Sequence, residues 1–575
     1  MATGNDPMIA AQHIDFDAIV IGSGITGGWA AKELTEKGLK VLVLERGKNI
    51  RAGVDYLGEH APDWKAPFQD KPDRELFARE YPLQSQNYAF SEFNRQFWIN
   101  DKDNPYVSSA DKPFEWFRAD AVGGRSLLWG RQSYRWSEQD FKSNADDGNG
   151  IPWPISYSDL APWYSYVEKF AGISGQAEGW PELPDSEFLP PMGSFALERT
   201  IKQRLAKKAP DLRMTIGRSA ILTRDHNGRS ACHYCGPCHR GCSTGSYFSS
   251  QSATLPAARA TGNLTLKPDT VVERLVYDTQ SGKVSIVQVI DTNSGERHSY
   301  SARLFFLCAS TVASTQVLLN SGSDSFPSGL ANRSGALGQH LMDHLESPPV
   351  VGAFLDDMDR YYFGNRPNGS YIPRFRNLAG QDQESEFLRG YGFQANVLRA
   401  NWKMSYNQKG FGADLKNSLR KPGFWIWALT GFGECLPRPS NRIALDHRKL
   451  DRFGIPQVSI EFDWSDNEKA MWKDMNRQSA RIMKAAGAVF YQGMGDEATA
   501  IGGGAIHEMG TARMGNDPAK SVLNAHNQAH DVANLFVTDG ACMTSSSCVN
   551  PSLTYMALTA RACDYASKQL AAGAI

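Results

Sequence analysis

Four cysteines fall within eleven residues, as Cys232-x2-Cys235-x2-Cys238-x3-Cys242, in a chain that holds nine in all. Thiols so crowded suggest metal ligands, and three readings compete. Structural zinc takes four cysteines, usually as two pairs on either side of a longer loop that folds round the ion. No such loop separates these four. Iron–sulfur clusters suit compact runs, and this spacing is that of a ferredoxin-type run, with Ser243 where a proline commonly follows. The third reading is a cysteine-rich loop that holds nothing. The remaining Cys308, Cys435, Cys542, Cys548 and Cys563 are scattered, which argues against a disulfide framework and suits buried small hydrophobes.

A second centre is His507, just after Gly502-Gly-Gly504. A neutral imidazole, with an unperturbed pKa near ~6.5, can take a proton near neutrality. A lone histidine can equally be a core residue bonded to backbone. The third centre is Gly22-Ser-Gly24-Ile-Thr-Gly27, with Glu45 18 residues beyond Gly27. Gly22 permits a tight turn, Gly24 lets backbone approach a pyrophosphate, and Gly27 lets a helix pack on a strand. Glu45 can accept hydrogen bonds from ribose hydroxyls, and its charge disfavours a 2′-phosphate, hence NADP.

These residues need elements to hold them. Residues 17–21 form a short apolar strand, Trp29 to Lys37 has helical spacing, Gly38 ends it, and Val41 to Leu44 forms a second strand. A glycine run between a strand and a helix offers free N–H groups and a positive dipole end to phosphates. An adenine-dinucleotide site therefore outweighs an ordinary glycine-rich turn. Leu264 to Tyr277 and Lys283 to Asp291 read as further strands. Residues 346–462 alternate short aromatic strands with Gly, Asn and Pro turns. Asn467 to Ala486 reads as an amphipathic helix from the spacing of Met471, Met475, Ile482 and Met483.

At 575 residues the chain needs two or more lobes. Hydrophobic residues at 41% and charged residues at 21% are a soluble globular profile. A net charge of −1 implies neither nucleic acid nor a membrane surface as partner. No run reaches the roughly 20 apolar residues of a membrane span. Residues 1–15 lack the basic and apolar regions of a secretion signal.

Later segments separate FAD from NAD. Ala121-Val-Gly-Gly-Arg-Ser-Leu-Leu-Trp-Gly130 resembles the flavin-facing loop of the glucose–methanol–choline (GMC) oxidoreductases. Leu307 to Leu319 and Gly338-Gln-His-Leu-Met-Asp-His344 resemble other segments of their FAD domain. His507 to Gly515, Asn534 to Gly540 and Asn550-Pro-Ser-Leu-Thr554 resemble their C-terminal signature. The resemblance runs from about residue 15 to 570, in family order.

It implies an α/β fold (α+β overall): a discontinuous Rossmann-like FAD domain (15–50, 117–145, 228–345 and 500–575), with 51–116 as a covering excursion. A substrate domain on an antiparallel sheet would take 146–227 and 346–499. It implies His507 and Asn550 as the catalytic pair, with Asn550 orienting the hydroxyl and His507 as base. Gly123, Gly124, Ser126, Val272, Asp539 and Pro551 would join Gly22, Gly24, Gly27 and Glu45 in holding FAD. His344 matches a structural position. Leu128 stands where some members carry a histidine tether, which implies non-covalent FAD.

The cysteine run is similar to that of a bacterial, iron–sulfur-containing sugar dehydrogenase branch. This implies a 3Fe–4S cluster on Cys232, Cys238 and Cys242, with Cys235 an extra thiol or the fourth ligand of a 4Fe–4S cluster. The implied activity is hydride removal from a secondary hydroxyl, C3 of a glucoside first. Glucose C1, fructose C5 or gluconate C2 come next, followed by an oxygen-using pyranose oxidase with a zinc-stapled loop or a non-oxidising FAD protein. Electrons would pass through the cluster to an external acceptor such as cytochrome c. A small partner with a twin-arginine signal would carry the chain to the periplasm; without one, it would stay in the cytoplasm.

Overall fold

The computed structural model describes residues 15–62, 65, 73–381, 386–400, 410–493 and 500–575. The reading of the first fourteen residues lies outside them. Along the chain, β1 (Phe16–Ile21), α1 (Ile25–Glu36) and β2 (Val41–Leu44) come first. After a stretch of turns and one short helix (Arg74–Glu80) come β3 (Val107–Ser108), α2 (Tyr157–Ala171), α3 (Ala196–Lys208) and β4 (Thr215–Ile216). Next are β5 (Leu264–Lys267), β6 (Thr270–Asp278), β7 (Lys283–Asp291), β8 (Arg297–Leu307) and α4 (Thr311–Asn320). Then follow β9 (Leu345–Glu346), β10 (Val350–Phe354), β11 (Ser370–Ile372), β12 (Tyr391–Arg399) and β13 (Trp425–Gly433). The last part holds β14 (Arg442–Leu450), β15 (Pro456–Glu461), α5 (Asp466–Ala486), β16 (Phe490–Gly493), β17 (Leu535–Val537) and α6 (Ser552–Ala571).

The first sheet is parallel in the order β5-β2-β1-β8, with β17 parallel to β8. Its central strands carry continuous apolar runs (18–21, Val41–Leu44, 304–307 and Leu535–Val537) because both faces are covered, whereas the edge strand β5 alternates. Ile19, Leu42, Phe305 and Val537 face one core; Val20, Val43, Phe306 and Phe536 face another. α6 packs on both α1 and α2, and Trp29 of α1 meets Tyr166 and Phe170 of α2. β6 and β7 extend the early part of β8 as an antiparallel meander. The stretch from Leu264 to Tyr277, expected as one strand, is two. Pro268 lacks an N–H, and Asp269 takes a φ of 53°. The chain there leaves its parallel partner β2 and turns into β6.

The second sheet is antiparallel, ordered β16-β10-β13-β12-β11-β4, with β9 beside β13. Its core holds Trp425, Trp427, Phe393 and the buried stripe Met471, Met475, Ile482 and Met483 of α5. α3 packs on α5. The β14–β15 hairpin packs instead on α4, and Ile443, Val458 and Ile460 join the first core. No helix among the described residues is long and apolar enough to cross a membrane.

Candidate active site

A cavity of about 640 Å³ opens at the carboxyl ends of β1, β8 and β17 and reaches the second sheet. Ligands of parallel α/β sheets bind at such strand ends. Gly22, with φ 95°, makes the turn out of β1; a Cβ there would lie 2.6 Å from the Cys308 carbonyl oxygen. At Gly27 a Cβ would meet the Gly22 carbonyl oxygen at 1.9 Å, so only glycine lets α1 sit this close. A Cβ on Gly24 would meet nothing within 4 Å, and Gly24 lines the cavity. Gly27 itself is buried behind the turn and does not line it.

Glu45 is buried and accepts from Ser23 N (2.9 Å), Ser23 Oγ (2.6 Å) and Gly47 N (2.8 Å). Burial pushes its carboxyl above the usual range, and these hydrogen bonds pull it back. Ser23 Oγ also accepts from Gly123 N at 2.9 Å, which ties the 121–130 loop to the first turn. Gly123 and Gly124 both have positive φ, and Gly124 comes within 3.2 Å of the Gly24 Cα at its Cβ position.

Gly124, Ser126, Val272, Asp539 and Pro551 line the cavity beside Gly22, Gly24 and Glu45. The Ser126 hydroxyl, however, turns inward, donating to Gly123 O (2.6 Å) and accepting from Ser250 N (3.0 Å). Trp98, Ile99 and Trp116 of the excursion, with Phe117 just after it, line the cavity. An open glycine turn, a helix start and a buried acid at the second strand's end fit a flavin dinucleotide.

At the far end stands His507. Asn550 Nδ2 donates to His507 Nε2 at 3.1 Å, and Gln394 Nε2 donates to Asn550 Oδ1 at 2.7 Å. His507 Nδ1 lies 2.9 Å from His344 Nδ1, and His344 Nε2 lies 3.0 Å from the Ser546 carbonyl oxygen. A carbonyl only accepts, so His344 carries its proton on Nε2. Its Nδ1 is then bare and must receive the proton on His507 Nδ1. That leaves the lone pair of His507 on Nε2, facing Asn550. Burial holds both rings neutral: His344 is brought down to about 4, and His507 well below its ordinary value, with the neighbouring His344 ring and the Arg125 guanidinium adding to burial. A hydroxyl entering beside Asn550 would meet a proton acceptor and an N–H donor together.

The backbone here is held under strain. Ile506, a β-branched residue, takes a φ of 63°. Asp343 holds this turn closed, accepting from His507 N (2.9 Å) and Gly503 N (2.8 Å). Burial, with Glu508 nearby, pushes Asp343 up to about 7. Asp343 and Gln394 were not singled out in the sequence; Asp343 sits inside a matched segment, and its acidic type was the only signal. Pro551 and Ser552 begin α6, whose positive end faces the cavity.

The cysteine loop lies against this cavity. His239, next to Cys238, lines it, and His239 Nδ1 donates to Leu128 O at 3.1 Å. Cys232, Cys238 and Cys242 are part-buried against Met192, Ile221 and Tyr247, whereas Cys235 is exposed. All four thiols are free. Among the described residues no three His, Cys, Asp or Glu are placed to hold a metal ion. The thiols are drawn into local contacts: Cys242 Sγ sits 3.3 Å from both Thr244 Oγ1 and Ser246 Oγ, and Cys232 Sγ accepts from Tyr234 N.

Comparison with known proteins matches the family description "GMC oxidoreductase" to residues 16–346 in its N-terminal part and 437–559 in its C-terminal part. The chain is 31% identical over 567 residues to 2-methyl-1,2-propanediol dehydrogenase of Mycolicibacterium austroafricanum, covering 96% of this chain and 95% of that one. It is 26% identical over 571 residues to the fructose dehydrogenase large subunit of Gluconobacter japonicus, covering 96% and 98%. Among solved structures, pyridoxine 4-oxidase from Mesorbium loti shares the fold with a TM-score of 0.59 at 17% identity, over 96% and 98% of the two chains. The glycine turn, the buried acid and the His507–Asn550 pair thus stand in a chain that belongs to the GMC oxidoreductase family.

Proposed function

We propose that the protein is a FAD-dependent dehydrogenase that oxidises a secondary ring hydroxyl of a sugar, C3 of a glucoside being favoured. The reading is carried by one observation: His507 Nε2 lies 3.1 Å from Asn550 Nδ2, in the cavity that begins at Gly24 and Glu45. When bound, without a covalent tether at Leu128, FAD supplies the acceptor for the carbinol hydride. His507 Nε2 takes the hydroxyl proton. Asn550 donates to the substrate oxygen and cannot itself take the proton. Gln394 fixes the orientation of the Asn550 amide. The excursion keeps bulk water from the buried pair.

The sugar part of the reading draws on the polar sheet face that meets the pair and on the likeness to a fructose dehydrogenase subunit. Cys232, Cys238 and Cys242, with Cys235 as an extra thiol or fourth ligand, are the residues that would hold an iron–sulfur cluster. Such a group supplies a one-electron outlet, which suits a dehydrogenase serving an external acceptor such as cytochrome c. A small signal-bearing partner and a periplasmic site belong to the same reading. A second reading, oxidation of a simple vicinal diol, is favoured by the likeness to a propanediol dehydrogenase.

Anaerobic incubation of the holoenzyme with methyl α-D-glucoside, with NMR identification of the product, tests the proposal. A 3-keto glucoside with bleached flavin supports it. Bleaching by 1,2-propanediol but not by the glucoside selects the second reading.

A further inference from the structure

The second sheet presents one face to the His507–Asn550 pair. Gln394 and Asn396 alternate on β12; Thr430 and Phe432 alternate on β13, with Thr430 opposite Gln394. Glu346 on β9 pairs with Phe432. All five line the cavity. Side chains two apart on a strand share a face, so this is one continuous surface.

Gln394 is already bound to Asn550. Among the described residues, the side chains of Glu346, Asn396 and Thr430 make no hydrogen bond within the protein. Glu346 is half-buried, two residues beyond His344, and the Phe432 ring beside it lies 6.1 Å from that of His507. An acid in a cavity wall without a partner is costly to the free protein unless a ligand supplies one.

We propose that Glu346 is the specificity-determining residue of this site, binding a second hydroxyl of the substrate while the first sits between His507 and Asn550. The assignment rests on that pair being the reacting end, as proposed above, and holds for a sugar or a simple diol alike. Burial, with Asp343 nearby, raises the Glu346 carboxyl to about 8. Near neutrality it is largely a protonated acid, with one O–H donor and one carbonyl acceptor. A hydroxyl also donates and accepts, so the two are complementary. A site built to hydrogen-bond a hydroxyl discriminates strongly against an analogue that lacks it.

The test compares 2,3-butanediol with 2-butanol as anaerobic reductants of the bound flavin. Both carry only secondary alcohols; only the diol has a second hydroxyl. The wild type is expected to favour the diol by at least tenfold in kcat/KM. E346L is expected to lose that preference to within threefold, through a raised KM for the diol, with FAD content retained. E346Q keeps a donor and an acceptor and is expected to restore most of the preference. It also serves as the test if E346L does not fold. A preference that survives in E346L, or a loss confined to kcat, overturns the assignment. So does E346Q behaving like E346L. A wild type reduced by the diol and not by methyl glucoside contradicts the sugar reading alone. A wild type reduced by neither alcohol overturns the Glu346 assignment, whatever the glucoside does.

Discussion

The tautomer of His507 is set by a single carbonyl, with one ring between them. Ser546 O fixes the proton of His344, and His344 fixes that of His507. His344→Leu removes the acceptor for His507 Nδ1–H and frees the ring to take the wrong tautomer. We expect flavin reduction to fall about 10-fold or more, the scale on which a misoriented base loses effect, with KM little changed. Steady-state kinetics with the best substrate checks the split. Because burial depresses the His507 pKa, the neutral base persists as pH falls. Protonation of His507 itself is therefore expected to cause no loss of the saturated reduction rate near pH ~6.5, where a histidine of ordinary pKa would be half-protonated; a change between pH 6 and 8 would belong to Asp343 and Glu346, which titrate there. At this scale the sequence was informative where a residue type carries one chemistry: the glycines, Glu45, His507 and the Asn550 motif. Asp343, Gln394 and Glu346 were not legible as site residues. Their roles depend on which distant strands pack beside His507, and polar residues of their kind occur throughout the chain.

Among elements, the β1–α1–β2 unit was the most readable because its rules are local. A glycine lies wherever backbone crowds backbone, and an acid closes the second strand. Gly27→Ala puts a methyl 1.9 Å from the Gly22 carbonyl oxygen, which α1 can relieve only by moving off the sheet. Overpacking of this kind costs about 1–3 kcal/mol. G27A is expected to purify with less than half the wild-type FAD content and a lowered Tm, read by absorbance and thermal melting. The second sheet was legible as strands but not as an order. β4, from residues 215–216, ends up at the edge beside β11, some 150 residues later in the chain. The hairpin 442–461 looked like part of that sheet and packs on α4, because its apolar side faces the first core. The break at Pro268–Asp269 was marked by the proline and overridden by the apolar run around it.

Across the whole molecule, one cavity joins the dinucleotide turn, the base and the substrate-facing sheet, and the cysteine loop touches its wall through His239. On the proposed reading, that placement separates two jobs, reducing the flavin and emptying it. Cys238→Ser lies outside the reacting pair. It is expected to keep anaerobic flavin reduction within threefold while lowering cytochrome c reduction at least tenfold, and bound iron measured by elemental analysis falls with it. Unchanged cytochrome reduction would remove the loop from the electron path. The central claim is narrower: a neutral His507, with its lone pair on Nε2, takes the substrate proton. Stopped-flow anaerobic reduction of wild-type and H507A holoenzyme, matched for FAD content, tests it most directly. The account predicts at least a ~100-fold slower reduction in H507A with the cofactor still bound, the scale of losing a general base; reduction at near wild-type rate would contradict it.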